Sequence, residues 1–262
     1  MDDDIYITIV VPTFKRTDYL ERLLNSIKNQ TFKNYEVIVV DDASPNSEEY
    51  LELSKRFEVV FDDFRYVRKT LNSGAPNSRN LGAKLSKYSW LSFVDDDDEW
   101  LPDKLLNQIK IIREPQTHLG IVYSWTDAID QKGQVVHKYR DVCEGFCMRE
   151  IMSSCFIPSP SVLVKKSAFN LVGGFDEKMP SCQDWDTWVR IIFFGYAVEC
   201  SRTVDVIYHK HDGPTIGTSS KSLSGYIRFY RKHIFKLLVY KPRFVVRWFK
   251  LEVKNFYRLV FK

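Results

Sequence analysis

Four consecutive aspartates, Asp95, Asp96, Asp97 and Asp98, close the apolar run Trp90-Leu91-Ser92-Phe93-Val94. Carboxylates this close repel one another and resist ionisation unless a cation neutralises them. A hard divalent ion such as Mg²⁺ or Mn²⁺, shared with phosphate oxygens, is one chemistry that suits the run. A solvated acidic turn ahead of a helix starting near Pro102 is the other. A second acidic pair, Asp41-Asp42, ends the run Tyr35-Glu36-Val37-Ile38-Val39-Val40. Further along, Gln183-Asp184-Trp185-Asp186 precedes an apolar helical stretch containing Trp188, Val189 and Ile192. A carboxylate there can serve as a general base, or can cap the positive end of the helix dipole. Arg16 and Arg79 have the planar fork that grips phosphate oxygens bidentately, although either also suits a solvated surface.

The elements that must position these residues alternate in type. Ile5 to Pro12 reads as a strand that Pro12 ends, because proline cannot donate to a ladder. Thr17 or Asp18 can cap a helix in which Leu20, Leu23, Leu24 and Ile27 recur at helical spacing through to Gln30. Tyr35 to Val40 and Phe64 to Val67 read as the next strands. A loop containing Gly74 and a helix from around Arg79 to Leu85 then lead into the strand that stops at Asp95. This alternation predicts an α/β fold with a doubly wound, mostly parallel, Rossmann-like central sheet whose strand ends gather the carboxylates on one edge. In an extended run alternate residues face one way, so Asp95 and Asp97 are expected on one face and Asp96 and Asp98 on the other.

Several stretches are familiar in this order: Val11-Pro12-Thr13-Phe14-Lys15-Arg16, Leu24 to Phe32, Glu36 to Ser44, Asn72 to Asn80, Phe93 to Asp103, and Gly173-Gly174-Phe175-Asp176 to Trp188. Together they resemble glycosyltransferase family 2. The resemblance implies an A-type glycosyltransferase fold and an inverting transfer of sugar from a nucleoside diphosphate donor, assisted by Mn²⁺ or Mg²⁺. It implies that Asp42 accepts a hydrogen bond from the nucleotide base, with the backbone of Pro12, Thr13 and Phe14 shaping the base slot. Arg16, the Gly74 loop and Arg79 fall to the donor and its phosphates. Asp97 becomes the best metal ligand, with Asp95 or Asp96 facing the ribose and metal-bound water and Asp95 also a candidate ligand. Asp184 becomes the base, with Asp186 its competitor; Gln183 departs from the glutamate that many relatives carry. Within Tyr208-His209-Lys210-His211, the resemblance favours His211 over His209 as a histidine near metal or diphosphate, and Lys210 is an alternative phosphate contact.

Charge divides the chain. Residues 221–262 hold 12 Lys or Arg against the single Glu252, a net +11, and the whole-chain +4 then leaves −7 for residues 1–220. The expected organisation is a catalytic domain over 1–220, with a nucleotide-binding half to about residue 100 and an acceptor-binding half beyond it, followed by a basic helical extension over 221–262. Pro242 should split that extension. In its second part Arg243, Arg247, Lys250, Lys254, Arg258 and Lys262 fall on one arc of a helical wheel, with Phe244, Trp248, Leu251 and Phe256 among the remainder. Such a helix suits an anionic membrane surface; packing on the catalytic domain is the alternative. Five cysteines without a Cys-x-x-Cys pair indicate neither a disulfide framework nor a zinc knuckle. The acidic start Met1-Asp2-Asp3-Asp4 is unlike a secretory signal, and no apolar stretch approaches the ~20 residues that span a bilayer.

The expected location is therefore cytoplasmic, peripheral on the inner face of the cell membrane. The resemblance further implies a saccharide acceptor on a polyprenyl diphosphate, as in bacterial O-antigen, lipopolysaccharide or capsule synthesis, and a UDP-sugar as the commonest donor. Ile157 to Lys166 and the Gly133 hairpin region are the expected acceptor contacts. Two other classes compete. A sugar nucleotidyltransferase would be expected to carry a glycine-rich basic loop where this chain has Pro12-Thr13-Phe14-Lys15-Arg16. Nucleic-acid binding through the basic tail would leave the strand-end aspartates unexplained.

Overall fold

The computed structural model of the protein describes residues 5–210 and 220–243, together with 245, 246, 249, 250 and 253. Its first half is a parallel α/β unit. Strands β1 (Ile7–Thr13), β2 (Tyr35–Asp41), β3 (Phe64–Arg68) and β4 (Trp90–Phe93) lie in the order β3-β2-β1-β4, connected through helices α1 (Thr17–Lys28), α2 (Ser47–Glu58) and α3 (Ala75–Leu85). Every residue of β1 and β2 is buried, which is why they read as continuous apolar runs rather than alternating ones. Ile7, Ile9 and Val11 join the core on the side of α1, α2 and the later helix α4, while Val10 faces the opposite core. Helix α3 approaches β1 so closely that a Cβ at Gly82 would lie 2.3 Å from Val10 Cγ1. Glycine is what lets that helix seat. The cap of α1 departs from expectation. Arg16 occupies the N-cap position without a side-chain cap, and its backbone N–H donates to the Tyr50 hydroxyl at 2.8 Å instead of leaving the role to Thr17 or Asp18.

The second half adds β5 (Asp98–Trp100), α4 (Lys104–Arg113), β6 (Leu119–Ile129), β7 (Val135–Tyr139), α5 (Met148–Ile151), β8 (Leu163–Lys165), α6 (Lys166–Leu171), α7 (Gln183–Phe193) and β9 (Ala197–His209). The nine-stranded sheet continues β4-β8-β6-β9-β5, with β7 hairpinned onto β6 around Gly133. Here the sheet is mixed. β8 runs antiparallel to both β4 and β6, and β5 antiparallel to β9, while β6 and β9 are parallel. The parallel arrangement expected from the alternation thus belongs to the first half; β5 and β8 are three residues each and pair only antiparallel, although helices follow both.

Two helices, α8 (Ser220–Lys232) and α9 (Ile234–Tyr240), follow. Phe229, Tyr230 and Leu237 are buried in the same cluster as Trp185, Trp188 and Phe175 of the preceding domain, so this part of the tail packs on it. The helix ends at Tyr240, just before Lys241-Pro242, as proline requires. Arg247, Lys254, Arg258 and Lys262 of the expected basic arc, and Trp248 beside it, lie outside the described residues. Cys143 and Cys147 form a disulfide, a departure from the cysteine reading; it joins cysteines at a sequence separation of 4 and makes no framework. Among the described residues, no helix is long and apolar enough to cross a membrane.

Candidate active site

In the parallel half β2 lies on one side of β1 and β4 on the other, so the chain leaves these neighbours in opposite directions and opens a crevice at their C-terminal ends. Thr13, Asp42 and the aspartate run all sit there. The loops turn sharply: Lys15 after β1 and Ala43 after β2 hold φ of 59° and 62°, a region non-glycine residues rarely occupy. Asp42 is anchored by the Gly74 loop. Its carboxylate accepts hydrogen bonds from the backbone N–H groups of Ser73 (2.9 Å) and Gly74 (2.7 Å) and from Lys69 Nζ (2.6 Å). Burial pushes this carboxyl upward, but those three bonds outweigh it and hold Asp42 below the usual carboxylate range. It is not the cap of α2: Asn46 holds the N-cap position there.

The aspartate run is not the extended segment expected: Asp96 and Asp97 form a turn between β4 and β5, closed by the Asp98 N–H donating to the Asp95 carbonyl at 3.2 Å, and burial nonetheless alternates along it. Asp96 and Asp98 are buried, and Asp95 and Asp97 are half-buried. Thr13 Oγ1 donates to Asp96 Oδ2 at 2.7 Å, fastening β1 to the run. Arg16 Nη1 reaches Asp97 Oδ2 at 2.6 Å and Asp96 Oδ1 at 3.3 Å, and Arg79 pairs with Asp95. The two arginines therefore lie on the carboxylates, at the mouth of the crevice. Burial, reinforced by Asp97 and Asp95, pushes the Asp96 carboxyl up to about 7 against the opposing effects of Thr13 and Arg16. Asp98 is likewise raised, by burial and by its three neighbours, and its Oδ1 is buried with no hydrogen-bond partner.

Asp184 is brought to the same place from the other half of the sheet. It lies in the first turn of α7, behind Cys182, whose φ of 61° turns the chain into the helix. Cys182 holds the N-cap position, and Asp184 Oδ1 accepts the Trp185 N–H at 2.8 Å. Burial raises its carboxyl; Arg79 and Asp95 act on it with opposite signs, which places Asp184 within electrostatic reach of the acidic run. The link between the halves is α3. Asn80 exchanges hydrogen bonds with the backbone of Phe175 at 2.9 Å each way, and Glu177 accepts from both Asn77 and Asn80 at 2.9 Å. Arg79, one residue away, bridges toward Asp95 over the Phe175 ring. Asp186 faces elsewhere. It is fully buried among Arg190 (2.8 Å), Lys232 (3.0 Å) and His233 (2.8 Å), a structural clamp.

Some residues of the site were not singled out from the sequence. Lys69, which holds Asp42 and also reaches Ser78 Oγ at 3.3 Å, directly follows β3, and its position after a strand was the available signal. Arg22 donates to the Asp97 carbonyl at 2.7 Å from an ordinary-looking position on α1. Asn80 and Glu177 are 97 residues apart, beyond the reach of local pattern. Pro12 is buried in β1, and Phe14 is half-buried at its end beneath Lys15, whose Nζ lies 5.0 Å from the ring centre. His209 pairs with Glu99 at 3.1 Å. His211 lies outside the described residues.

The sequence matches the family described as Glycosyl transferase family 2 over residues 8–169, more than half of the chain. The chain belongs to glycosyltransferase family 2. Among its relatives, the Escherichia coli (strain K12) protein WcaA, named as a colanic acid biosynthesis glycosyl transferase, is 26% identical over 257 residues, covering 89% of this chain and 83% of its own. Staphylococcus aureus TarS 1-349, solved in complex with UDP-GlcNAc, superposes with a TM-score of 0.72 at 19% identity, over 89% of this chain and 67% of that one. The mannosyltransferase PcManGT of Pyrobaculum calidifontis, solved with GDP-Man and Mn²⁺, superposes with a TM-score of 0.64 at 19% identity, over 87% of this chain and 64% of that one. These two structures establish for the family 2 chain a mixed α/β fold of the same type.

Proposed function

We propose that this family 2 enzyme transfers a hexose or N-acetylhexosamine from a nucleoside diphosphate sugar, with inversion, to a saccharide acceptor carried on a lipid diphosphate in bacterial surface-polysaccharide synthesis. The observation that carries the reading is the convergence of Asp42, the Asp95–Asp98 run and Asp184, through Arg79, on one sheet edge. Asp42 and the loop after β1 bind the base, Arg16, Lys69 and Arg79 supply positive charge for the diphosphate, and Asp184 takes the proton of the attacking hydroxyl from the face opposite the leaving group. The donor set suits a hard cation. Asp95 and Asp97 offer carboxylate oxygens on the more open side of the run, the buried Asp98 oxygen lacks a partner, and phosphate oxygens and water would supply the other positions. Among the described residues no group of three or more His, Cys, Asp or Glu is set to hold an ion unaided, so the substrate would complete the site. When bound, Mn²⁺ or Mg²⁺ would offset charge on the departing nucleoside diphosphate. TarS with UDP-GlcNAc supports a UDP-sugar, and PcManGT with Mn²⁺ supports the metal. WcaA supports the polysaccharide setting.

The test is calorimetric titration of UDP, GDP, dTDP and CDP, each with Mn²⁺ and with EDTA. One nucleotide should bind tightly with Mn²⁺ and lose most of its affinity in EDTA, and Asp97→Ala should abolish the metal-dependent part. Equal binding in EDTA, or binding of none, would remove the metal-dependent reading.

Attachment to the inner face of the membrane is part of the proposal. Phe235, Leu238 and Val239 recur on one face of α9 at 79%, 51% and 72% exposure, beside the exposed Phe193 and Phe194 at the end of α7. Lys236 stands 4.3 Å from the Phe193 ring centre, so cations border the apolar face. The opposite side of α9 carries Leu237 into the core, so domain packing and membrane contact use different faces. Phe235→Glu with Val239→Glu should reduce co-sedimentation with phosphatidylglycerol vesicles at least fivefold; unchanged sedimentation would assign the face to another partner.

A further inference from the structure

Arg16 lies on the carboxylate proposed for the metal ion. Its Nη1 reaches Asp97 Oδ2 at 2.6 Å and Asp96 Oδ1 at 3.3 Å, so both contacts to the run use one nitrogen. A guanidinium does not give up its proton in proteins, so only displacement of Arg16 opens those oxygens to a cation. The backbone at both ends of the contact is held. The Arg16 N–H donates to the Tyr50 hydroxyl at 2.8 Å, and that hydroxyl is hydrogen-bonded to Thr13 Oγ1 at 2.9 Å. Arg22 Nη2 donates to the Asp97 carbonyl at 2.7 Å, and the Asp98 N–H closes the turn on the Asp95 carbonyl. What can move is the Arg16 side chain, which is 47% exposed. Arg79, the other guanidinium on the run, is 10% exposed and sits over the Phe175 ring, 5.6 Å from its centre. Of the two arginines, Arg16 is the one that can leave.

Two cations therefore compete for Asp97. A hard ion such as Mg²⁺ needs its oxygens at about 2.0–2.1 Å, and a guanidinium left on the same carboxylate would repel it. An ion arriving alone displaces Arg16 and offers that charge no new partner. An ion arriving on a diphosphate offers one. The phosphate oxygens complete the shell of the ion, and they fit the planar fork of Arg16 as well as a carboxylate does, including the nitrogens the run does not use. Arg16 ends the loop after β1, on the donor side of the crevice, where such a group would enter.

We propose that the site takes its divalent ion together with the nucleoside diphosphate rather than as the free ion, because Arg16 holds Asp97 until phosphate draws it away. The proposal rests on the reading of Asp97 as a metal ligand. Mn²⁺ alone is titrated into the full chain and into Arg16→Gln, Lys15→Gln and Arg16→Gln/Asp97→Ala variants of confirmed thermal stability, with the free ion read by electron paramagnetic resonance. Arg16→Gln should bind Mn²⁺ about tenfold more tightly than the parent, a usual size for coupling between two ligands. The same variant should bind nucleotide in Mn²⁺ several-fold more weakly, because its side chain no longer meets phosphate; general damage to the site would weaken both. Lys15→Gln removes a neighbouring charge whose Nζ lies over the Phe14 ring, not on the run, and should leave Mn²⁺ affinity within about twofold. The double variant should lose the gain. Mn²⁺ affinity unchanged or lower in Arg16→Gln would overturn the proposal, as would an equal gain in Lys15→Gln, a gain that survives in the double variant, or nucleotide binding that tightens in parallel. The nucleotides are UDP, GDP, dTDP and CDP. If none shows Mn²⁺-dependent binding to the parent, the metal reading fails and takes this proposal with it, a result visible without any variant and so distinct from failure of the Arg16 contact alone.

Discussion

Asp184→Asn should leave nucleotide affinity within about twofold of the parent while kcat falls by about 10³-fold, in the middle of the range general-base catalysis contributes. Asparagine keeps the size of the side chain and can still accept the Trp185 N–H through its carbonyl oxygen, so α7 has no reason to move. What it loses is proton affinity. Burial raises the Asp184 carboxyl above its ordinary value, and a base closer to neutral pH is the better acceptor for a hydroxyl proton, provided it remains ionised at the working pH. The nearby Arg79 opposes the rise and Asp95 adds to it, so the carboxyl proposed as the base is tuned by the acidic run and its arginine. Single-turnover transfer with a saturating sugar nucleotide is the measurement. Near-parent turnover would exclude Asp184, and a parallel loss of nucleotide binding would mean the residue shapes the donor pocket instead.

Much of this site was legible because its residues end strands. Asp42 and Asp95 each close an apolar run, and a parallel sheet carries such ends to one edge without any long-range information. The course of Asp95–Asp98 was not legible correctly, because the run is not extended but a turn closed by the Asp98 N–H on the Asp95 carbonyl. Asp184 was legible only through the family resemblance, since its local context equally suits a residue in the first turn of a helix. The misses share a cause. Lys69, Arg22, Asn80 and Glu177 act through partners 27, 75, 95 and 97 residues away, and no local propensity encodes such pairings. Lys15, Ala43 and Cys182 adopt positive φ without being glycine, so the tight turns that set the site carried no compositional mark. Two arginines expected on phosphate lie instead on aspartates. A guanidinium fork fits carboxylate and phosphate oxygens alike. β8 and β5 are only three residues each, too short for a pattern, and they account for most of the antiparallel pairing.

Asp186→Ala should be the most destabilising substitution near the site, by about 3–5 kcal/mol, because it strands buried countercharges rather than removing a balanced pair. Asp186 is fully buried between Arg190, on its own helix, and Lys232 and His233 at the junction of α8 and α9. His233 is itself 1% exposed, and its Nδ1 has no hydrogen-bond partner. A protonated ring would bury a second, unsatisfied N–H, so the neutral form donating from Nε2 to Asp186 is the one this packing favours. Trp185 stacks on Phe229 at 3.9 Å between ring centres, so the same contact joins α8 to the turn that holds Asp184.

For a domain of this size the loss corresponds to a fall in Tm of roughly 6–20 °C. Acid should act in the same direction through both groups. Burial lowers the His233 pKa below its ordinary value, against the opposing pull of Asp186, so the unfolded chain takes up a proton that the folded one refuses; stability is lost as pH falls below about 6.5. Asp186 is pushed up by burial, but His233, Arg190 and Lys232 overcome this and bring it down to about 2. Its contribution is present above the unfolded value near 4 and is lost as pH falls from there toward 2. Urea titrations at pH 7.5, 6 and 5 should show stability declining, with the decline flattened in His233→Gln. A parent protein equally stable at all three values would mean that His233 is charged in the fold, and the tail would then be held on α7 by an ion pair rather than by a neutral hydrogen bond.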